Sequence, residues 1–160
     1  IMDDAMRKSR QRMGLEMIEI EECKTWMDNH VSEGGEPVAV GFGFDQSPRD
    51  PKRAWWTTFL GVETPVYFGA EQWANTYDAA VVYGAVRRTG RGRYKVEFRL
   101  VEEHVKALSK GHVLDKCLGE LEEEILNAPS DWLWSHKRWK HQMPEGIQLQ
   151  KRLFERTLES

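Results

Sequence analysis

Metal-binding and disulfide patterns are missing from this sequence of 160 residues. Its two cysteines, Cys23 and Cys117, lie far apart and have no CxxC or Cys/His spacing of the kind that binds zinc. A chain of this length buries a sufficient core without such cross-links. We therefore predict free thiols in a reducing compartment, no metal site and no cofactor.

Long apolar runs are missing as well. The longest nearly apolar run, Ala79 to Val86, is far shorter than the roughly 20 residues that a helix needs to cross a bilayer. No charged-then-apolar signal peptide precedes it. We expect the chain as given to be soluble, with neither a membrane span nor an export signal.

A large excess of one charge is also lacking, because 23 lysines and arginines face 26 aspartates and glutamates and leave a formal net charge of −3. Such a balance gives no global attraction to nucleic acid or to an anionic membrane. Any affinity of that kind must come from a local patch of basic residues.

Tryptophan, by contrast, is abundant, with seven residues in the chain. Most of them fall into two clusters, Trp55-Trp56 and the trio Trp132, Trp134 and Trp139. Large rings of this kind ordinarily supply core area. They also favour an amphipathic surface that meets lipid, and the sequence leaves both interpretations open.

Apolar periodicity predicts helices that alternate with strands. The near-continuous apolar stretch Val38–Phe44 is typical of a strand buried on both faces, as in a parallel sheet covered by helices. The other elements predicted in this half are a helix over Glu21–Val31 that stops at Gly34-Gly35, a short helix over Gly69–Tyr77 and a second buried strand over Ala79–Tyr83.

A hairpin is predicted around the turn Arg87–Arg93, because strict alternation follows it. Val96, Phe98 and Leu100 point one way and Lys95, Glu97 and Arg99 the other, which predicts a half-exposed strand. The four arginines of the turn are either simply solvated or able to bind phosphate.

The last part of the chain predicts one long helix and a tail. Leu114, Leu118, Leu121 and Ile125 form an apolar face on a helix over His112–Leu126. Pro129 ends this helix, and the polar stretch beyond Pro144 is expected to be loosely held. The predicted organisation is an α/β domain over residues 1–143 and a polar tail over 144–160.

The first fourteen residues are charged, lack apolar periodicity and offer no helix cap. We therefore expect the chain to be part of a longer protein.

Three sequence blocks carry a family resemblance. They are FLG…TP at Phe59 to Pro65, VRRTGRGRY at Val86 to Tyr94 and LEEEILNAPSDWLWSHKRWK at Leu121 to Lys140. In this order and spacing, over roughly residues 7 to 140, they resemble the carboxyl-terminal half of the late acyltransferases of lipid A biosynthesis, members of the wider lysophospholipid acyltransferase-like group. The fold that this implies is α/β, a partial glycerolipid-acyltransferase-like mixed sheet flanked by helices.

The resemblance implies an enzyme that moves a fatty acyl chain from acyl carrier protein to a hydroxyl of a lipid A precursor. It would act at the cytoplasmic face of the bacterial inner membrane, where the full-length protein meets the membrane surface. If the sheet continues into an absent segment, its uncovered edge would also favour self-association. Nucleic acid is not an expected partner.

In that family a histidine of an HxxxxD/E motif acts as the general base, because an unactivated hydroxyl is a poor nucleophile toward a thioester. Five residues beyond the five histidines stand Gly35, Ser109, Cys117, His141 and Gly146, none of them acidic. We therefore assign no catalytic residue and expect the chain alone to be inactive.

Ligand contacts can still be carried over from the resemblance by position. The basic segment at the start matches a region where the family uses arginine near the reacting centre, to hold lipid A phosphate or to stabilise negative charge. Asp45 also follows the predicted strand, where ligands gather in open α/β sheets, although an Asx turn or a helix cap would use it equally well. The candidate substrate-binding residues are Arg7, Arg10, Arg12, Asp45, Gln46, Arg87, His136 and Arg138, with Lys137 beside the last two.

Two alternatives remain open at the level of sequence. One is an acyltransferase relative that modifies another lipid acceptor, because group-wide motifs do not separate acceptors. The other is a noncatalytic binding module, in which the basic hairpin and nearby aromatics would bind a single-stranded nucleic acid. The net negative charge and the absence of an RNP-like aromatic strand argue against the second.

Overall fold

The structure is a computed structural model that describes residues 2–19, 21–31 and 36–154. The chain divides into two compact units, Ile1–Gly41 and Phe42–Ser160. Helices and small antiparallel sheets occur together, which confirms the predicted α/β class. Within the described ranges no helix has both the length and the apolar character that a bilayer crossing requires.

The first unit contains helices α1 (Met2–Gln11) and α2 (Cys23–His30). Helix α2 lies inside the predicted range, whereas its predicted Gly34-Gly35 stop lies outside the described residues. At its last turn the Nδ1 atom of His30 donates to the carbonyl oxygen of Trp26 at 2.8 Å, and the two rings stack. Helix α1 was not expected from the sequence, because its residues show no apolar periodicity.

The buried strand predicted over Val38–Phe44 is wrong, because residues 36–44 have no regular structure. Val38, Val40 and Phe42 are between 37% and 42% exposed. A strand forms only where a neighbour satisfies its backbone N–H and C=O groups, and no other described segment pairs with this one. An apolar run predicts that a stretch suits a sheet, but it does not supply the adjacent strand.

Two antiparallel hairpins form the sheets of the second unit. Strands β1 (Trp55–Phe59) and β2 (Val62–Val66) pair across a two-residue turn, in which Leu60 and Gly61 have φ values of 49° and 78°. Positive φ at both turn residues matches the right-handed twist of a hairpin. This first hairpin was not predicted from the sequence, in which Trp55-Trp56 stood out only as an aromatic cluster.

The second hairpin confirms the prediction around the arginine-rich turn. It pairs strands β3 (Val81–Gly90) and β4 (Arg93–Glu102). Strand β3 is buried on one face only, since Tyr83 and Ala85 are buried while the residues between and beside them are exposed. The prediction of a buried strand over Ala79–Tyr83 is therefore only partly right, because one face of β3 is exposed.

The predicted helices of the second unit are confirmed as α3 (Gly69–Tyr77) and α4 (His112–Asn127). Two short 3₁₀ turns, Pro129–Asp131 and Trp134–His136, follow α4. Helix α4 packs on two sides at once. One core cluster comprises Phe59, Val66, Leu114, Leu118, Leu121 and Ile125, and the other comprises Ala74, Tyr83, Ala85, Val105, Val113 and Cys117.

A buried carboxylate fixes the start of α4. Glu71 on α3 is 6% exposed and accepts the backbone N–H groups of Gly111 and Leu114, which the helix itself leaves unpaired. Gly111 has φ 91°, and a Cβ atom there would lie 2.9 Å from the ring of Trp55. Only glycine therefore fits this position without moving the tryptophan.

The tail that was predicted to be loosely held is anchored at Gln150–Leu153. The backbone N–H of Gln150 donates to the carbonyl oxygen of Trp56 at 2.8 Å, and the N–H of Leu153 donates to the Asp115 carboxylate. The Nε atom of Arg152 lies 2.9 Å from the same carboxylate, and both side chains are at most 6% exposed. Burial raises the pKa of Asp115, while Arg152 acts in the opposite direction.

We expect Leu118→Ala to lower the free energy of unfolding by about 2–5 kcal/mol, because Leu118 is fully buried and the truncation leaves a cavity. Leu126→Ala on the same helix is the control, since that side chain is 52% exposed and its truncation should cost less than about 1 kcal/mol. Urea unfolding followed by circular dichroism measures both. Equal losses would contradict the assignment of the α4 core face.

Candidate functional site

The candidate site forms where the loop Asp45–Pro48 meets the block that follows the first 3₁₀ turn. The backbone N–H of Ser47 donates to Nε2 of His136 at 2.9 Å, and Nε2 of His141 lies 3.0 Å from the carbonyl oxygen of Pro48. The Ser47 hydroxyl donates to the carbonyl oxygen of Arg138. Between these contacts Lys137 ends the second 3₁₀ turn in the left-handed region, with φ 54°. The two segments are therefore joined by several hydrogen bonds.

Arg138 is the most deeply buried charged group at this junction, with an exposed fraction of 2%. Its Nη1 atom donates to the carbonyl oxygen of Pro65 at 2.8 Å and to the Ser47 hydroxyl at 3.3 Å. The guanidinium carbon lies 5.8 Å from the centre of the Phe59 ring, within cation–π range. Its Nε and Nη2 atoms are buried and have no hydrogen-bond partner within the described residues.

Burial lowers the pKa of Arg138 to about 10, because a medium of low dielectric constant disfavours the charged form. The negative charge of Asp45 acts in the opposite direction without closing an ion pair. The guanidinium therefore remains protonated at pH 7. A buried cation with three of its five N–H donors unpaired is costly, and an anion would remove that cost.

Arg138 also lines a surface pocket of about 390 Å³. No carboxylate contributes to its lining, so the pocket is basic and aromatic. Its residues, which we call the Arg138 pocket, are Trp132, Trp134, Lys137, Arg138, Trp139 and Lys140.

Hydrogen bonds and ring contacts fix the tryptophans of the Arg138 pocket. Nε1 of Trp139 donates to the Thr64 hydroxyl at 2.8 Å, and Nε1 of Trp134 donates to the carbonyl oxygen of Pro129 at 2.7 Å. Trp139 stacks on Phe59 with ring centres 6.2 Å apart. Rings held in this way form a preorganised apolar wall beside three cationic side chains, which suits an anionic headgroup joined to a sugar or a hydrocarbon.

The structure brings some of the predicted ligand contacts together and not others. Asp45, Gln46, His136 and Arg138 meet at the junction, with Gln46 exposed. Arg87 lies instead on the second hairpin, opposite Lys95. The remaining candidates belong to the first unit, where Arg7 pairs with Glu19; they are Arg7, Arg10 and Arg12.

His136 bonds the chain to itself rather than offering a free base. Its Nε2 atom accepts the Ser47 N–H, so the proton of the neutral ring lies on Nδ1. Ser47 was not among the site residues predicted from the sequence. A serine directly after the Asp45-Gln46 pair was the available signal, but its partners are some 90 positions further along the chain, separated by 89 and 91 residues.

Histidine–carboxylate pairs do occur in the second unit at spacings that the HxxxxD/E motif does not cover. Nε2 of His112 lies 2.8 Å from the Glu102 carboxylate, which also binds Lys116. These contacts lower the pKa of Glu102, with the Lys116 hydrogen bond as the larger cause. Because Lys116 shares the carboxylate, the pair ties the end of β4 to α4.

Among the described residues, no cluster of three or more histidine, cysteine, aspartate or glutamate side chains is suited to a metal ion.

Comparison with known families identifies a family model that covers most of the chain. Residues 1–141 match the model of the family described as bacterial lipid A biosynthesis acyltransferase. No curated protein and no solved structure matches the chain. The matched range contains every helix and strand described above. It also contains all residues of the Arg138 pocket.

We predict that inorganic phosphate stabilises the protein through Arg138. At about ten times the dissociation constant, binding should raise the free energy of unfolding by about 1.4 kcal/mol. Arg138→Gln should lose this gain, whereas Arg53→Gln, which removes an exposed arginine from a loop, should keep it. Thermal unfolding in phosphate and in chloride of matched ionic strength measures the difference. An unchanged phosphate effect in Arg138→Gln would contradict the prediction.

Proposed function

Because the chain belongs to the bacterial lipid A biosynthesis acyltransferase family, we propose that it takes part in moving a fatty acyl group from an acyl carrier protein thioester to a hydroxyl of a lipid A precursor. The family match carries the acyltransferase activity and its place in lipid A biosynthesis. The donor, the acceptor and a position at the cytoplasmic face of the inner membrane are the further parts of the proposal. The role proposed for these 160 residues is to hold the acceptor.

The observation that supports this role is the unpaired edge of the buried Arg138 guanidinium. Lipid A phosphate is an anion with several acceptor oxygens, and a planar guanidinium binds such a group through two parallel N–H donors. Lys137 and Lys140 add charge around the same pocket. Since Nε and Nη2 are covered in the free chain, the phosphate reaches them only after neighbouring side chains move aside.

The tryptophans of the Arg138 pocket provide the second half of acceptor recognition. Trp132, Trp134 and Trp139 present ring area beside the cations, and a glucosamine ring or the start of an acyl chain packs on such a surface. Binding energy gained at a distance from the reacting hydroxyl helps to fix that hydroxyl in place for attack on the thioester carbonyl. The pocket therefore positions the acceptor.

His136, which precedes the pocket residue Lys137 in the chain, is not the base that activates the hydroxyl. The Nε2 atom of His136 is already occupied by the Ser47 N–H, and no histidine of the sequence has an acidic residue five positions on. We propose that the 160 residues bind the acceptor without themselves catalysing transfer. In the complete reaction the hydroxyl loses its proton to a base, forms the ester bond and expels the carrier thiolate.

The experiment is a binding and turnover assay on the chain with lipid A precursor in neutral detergent micelles. Isothermal titration should show binding of the phosphorylated precursor and at least tenfold weaker binding of the same precursor after phosphatase treatment. Arg138→Gln should abolish that preference, whereas Arg53→Gln should retain it. Labelled acyl carrier protein added to the bound complex should yield no acylated product.

Either of two results would overturn the proposal. Equal affinity for phosphorylated and dephosphorylated precursor would exclude phosphate recognition at Arg138. Acylated product formed by these 160 residues would show that they contain a base of their own.

A further inference from the structure

The second hairpin exposes an apolar face to solvent. Side chains of alternate residues in β3 and β4 point away from α4 and are between 51% and 74% exposed, whereas Tyr83 and Ala85 on the opposite face are almost completely buried. The exposed residues, which we call the apolar strip, are Val82, Val86, Val96, Phe98 and Leu100.

Register makes these side chains neighbours. Val82 lies opposite Leu100, and Val86 lies opposite Val96. Between these two pairs Phe98 covers Gly84, whose Cβ position would be 3.5 Å from the Phe98 ring. The strip is therefore continuous, and a continuous exposed apolar patch indicates a binding surface in a way that scattered apolar residues do not.

One end of the apolar strip carries a dense positive charge. Residues 85–96 contain no aspartate or glutamate but five cations, namely Arg87, Arg88, Arg91, Arg93 and Lys95, which we call the basic tip. None of the ion pairs found among the described residues involves a side chain of the basic tip. Tyr94, which is 65% exposed and lies opposite Arg88, stands where the strip meets the tip.

We propose that the apolar strip and the basic tip together bind the surface of an anionic lipid bilayer. The aliphatic and aromatic side chains of the strip enter the acyl boundary, and the cations of the tip contact lipid phosphates. Tyr94 occupies the level between them, where an amphipathic ring is favoured. The proposal rests on the proposed function for its purpose, which is to bring the chain to a lipid acceptor.

The chemistry of the face favours lipid over the other polyanion that a basic tip could attract. A single-stranded nucleic acid needs a row of stacking rings along a basic groove, whereas the strip is mainly aliphatic and the cations stand at its end. A bilayer offers both phases in the required order, phosphate at the surface and hydrocarbon beneath it. Because the formal net charge of the chain is −3, the chain as a whole is not attracted to an anionic membrane. The electrostatic attraction is confined to the basic tip and therefore directs this hairpin toward the membrane.

The test is co-sedimentation of the chain with vesicles of phosphatidylcholine containing about one third phosphatidylglycerol. Arg91→Gln/Arg93→Gln should weaken binding roughly thirtyfold at low salt. Lys52→Gln/Arg53→Gln removes the same charge from another loop and should change binding little.

Leu100→Ser should weaken vesicle binding roughly tenfold through lost apolar contact. Leu126→Ser, at a similarly exposed position on α4, should have little effect. Pure phosphatidylcholine should bind the wild-type chain much more weakly.

Three outcomes would overturn the proposal. The first is vesicle binding that is equal for the hairpin variants and their matched controls. The second is a dimer in sedimentation velocity that Phe98→Ser dissociates, because a second copy would then cover the strip. The third is a large fall in the unfolding midpoint of Leu100→Ser, because that would place Leu100 against other residues of the chain rather than at an exposed surface.

The two proposals fail separately. Arg138→Gln should bind vesicles like the wild-type chain, and the hairpin variants should bind phosphorylated precursor in detergent like the wild-type chain. If the chain binds precursor normally and the hairpin variants bind vesicles like the wild type, only the proposed membrane-binding surface is overturned. Normal vesicle binding with no phosphate preference at Arg138 would overturn the acceptor site alone.

Discussion

The two-sided packing of α4 is the constraint on which the second unit depends. A single helix fills the core beneath the first hairpin with Leu114 and Leu118 and the core beneath the second with Val113 and Cys117. Because Glu71 fixes where this helix begins, the rotation that places both apolar sets is defined at its first turn. The same helix therefore sets the position of both hairpins.

The Arg138 pocket is built on one of these cores. Phe59 and the partly buried Trp132 and Trp139 belong to the cluster on the first-hairpin side of α4, and the Arg138 guanidinium lies over the Phe59 ring. A buried cation without a counter-charge lowers the stability of the fold far more than a solvated surface cation does. The surface ion pairs of the protein offset little of that cost, because each contributes little stability. The protein tolerates this cost beside a hydrophobic core cluster, as expected for the anion site proposed above.

Local patterns predicted the parts of this fold that depend on local sequence. The helical spacing of Leu114, Leu118, Leu121 and Ile125 was sufficient for α4, and the turn residues around Gly92 were sufficient for the second hairpin. The alternation in β4 predicted two faces but not which face is buried, and the apolar set is the one that meets solvent. That choice depends on which elements lie nearby in space.

Long-range contacts explain what the sequence did not reveal about the candidate site. His136 and Arg138 were identified through the resemblance, but their common partner Ser47 is about 90 positions away and belongs to no motif. The strand expected at Val38–Phe44 failed for a related reason, since pairing requires a neighbouring strand and no other described segment supplies one. Apolar character was visible in the sequence, whereas the identity of the neighbour was not.

The buried ion pair between Arg152 and Asp115 of α4 limits how far the chain can be shortened. The family match ends at residue 141, and truncation there would remove Arg152. Such a cut removes the cation beside Asp115 and the Leu153 N–H that bonds it. The Asp115 carboxylate would then lose two partners that favour its charged form. The family match therefore ends about a dozen residues before the last residues that pack against α4. A shortened variant should keep the chain at least through Leu153.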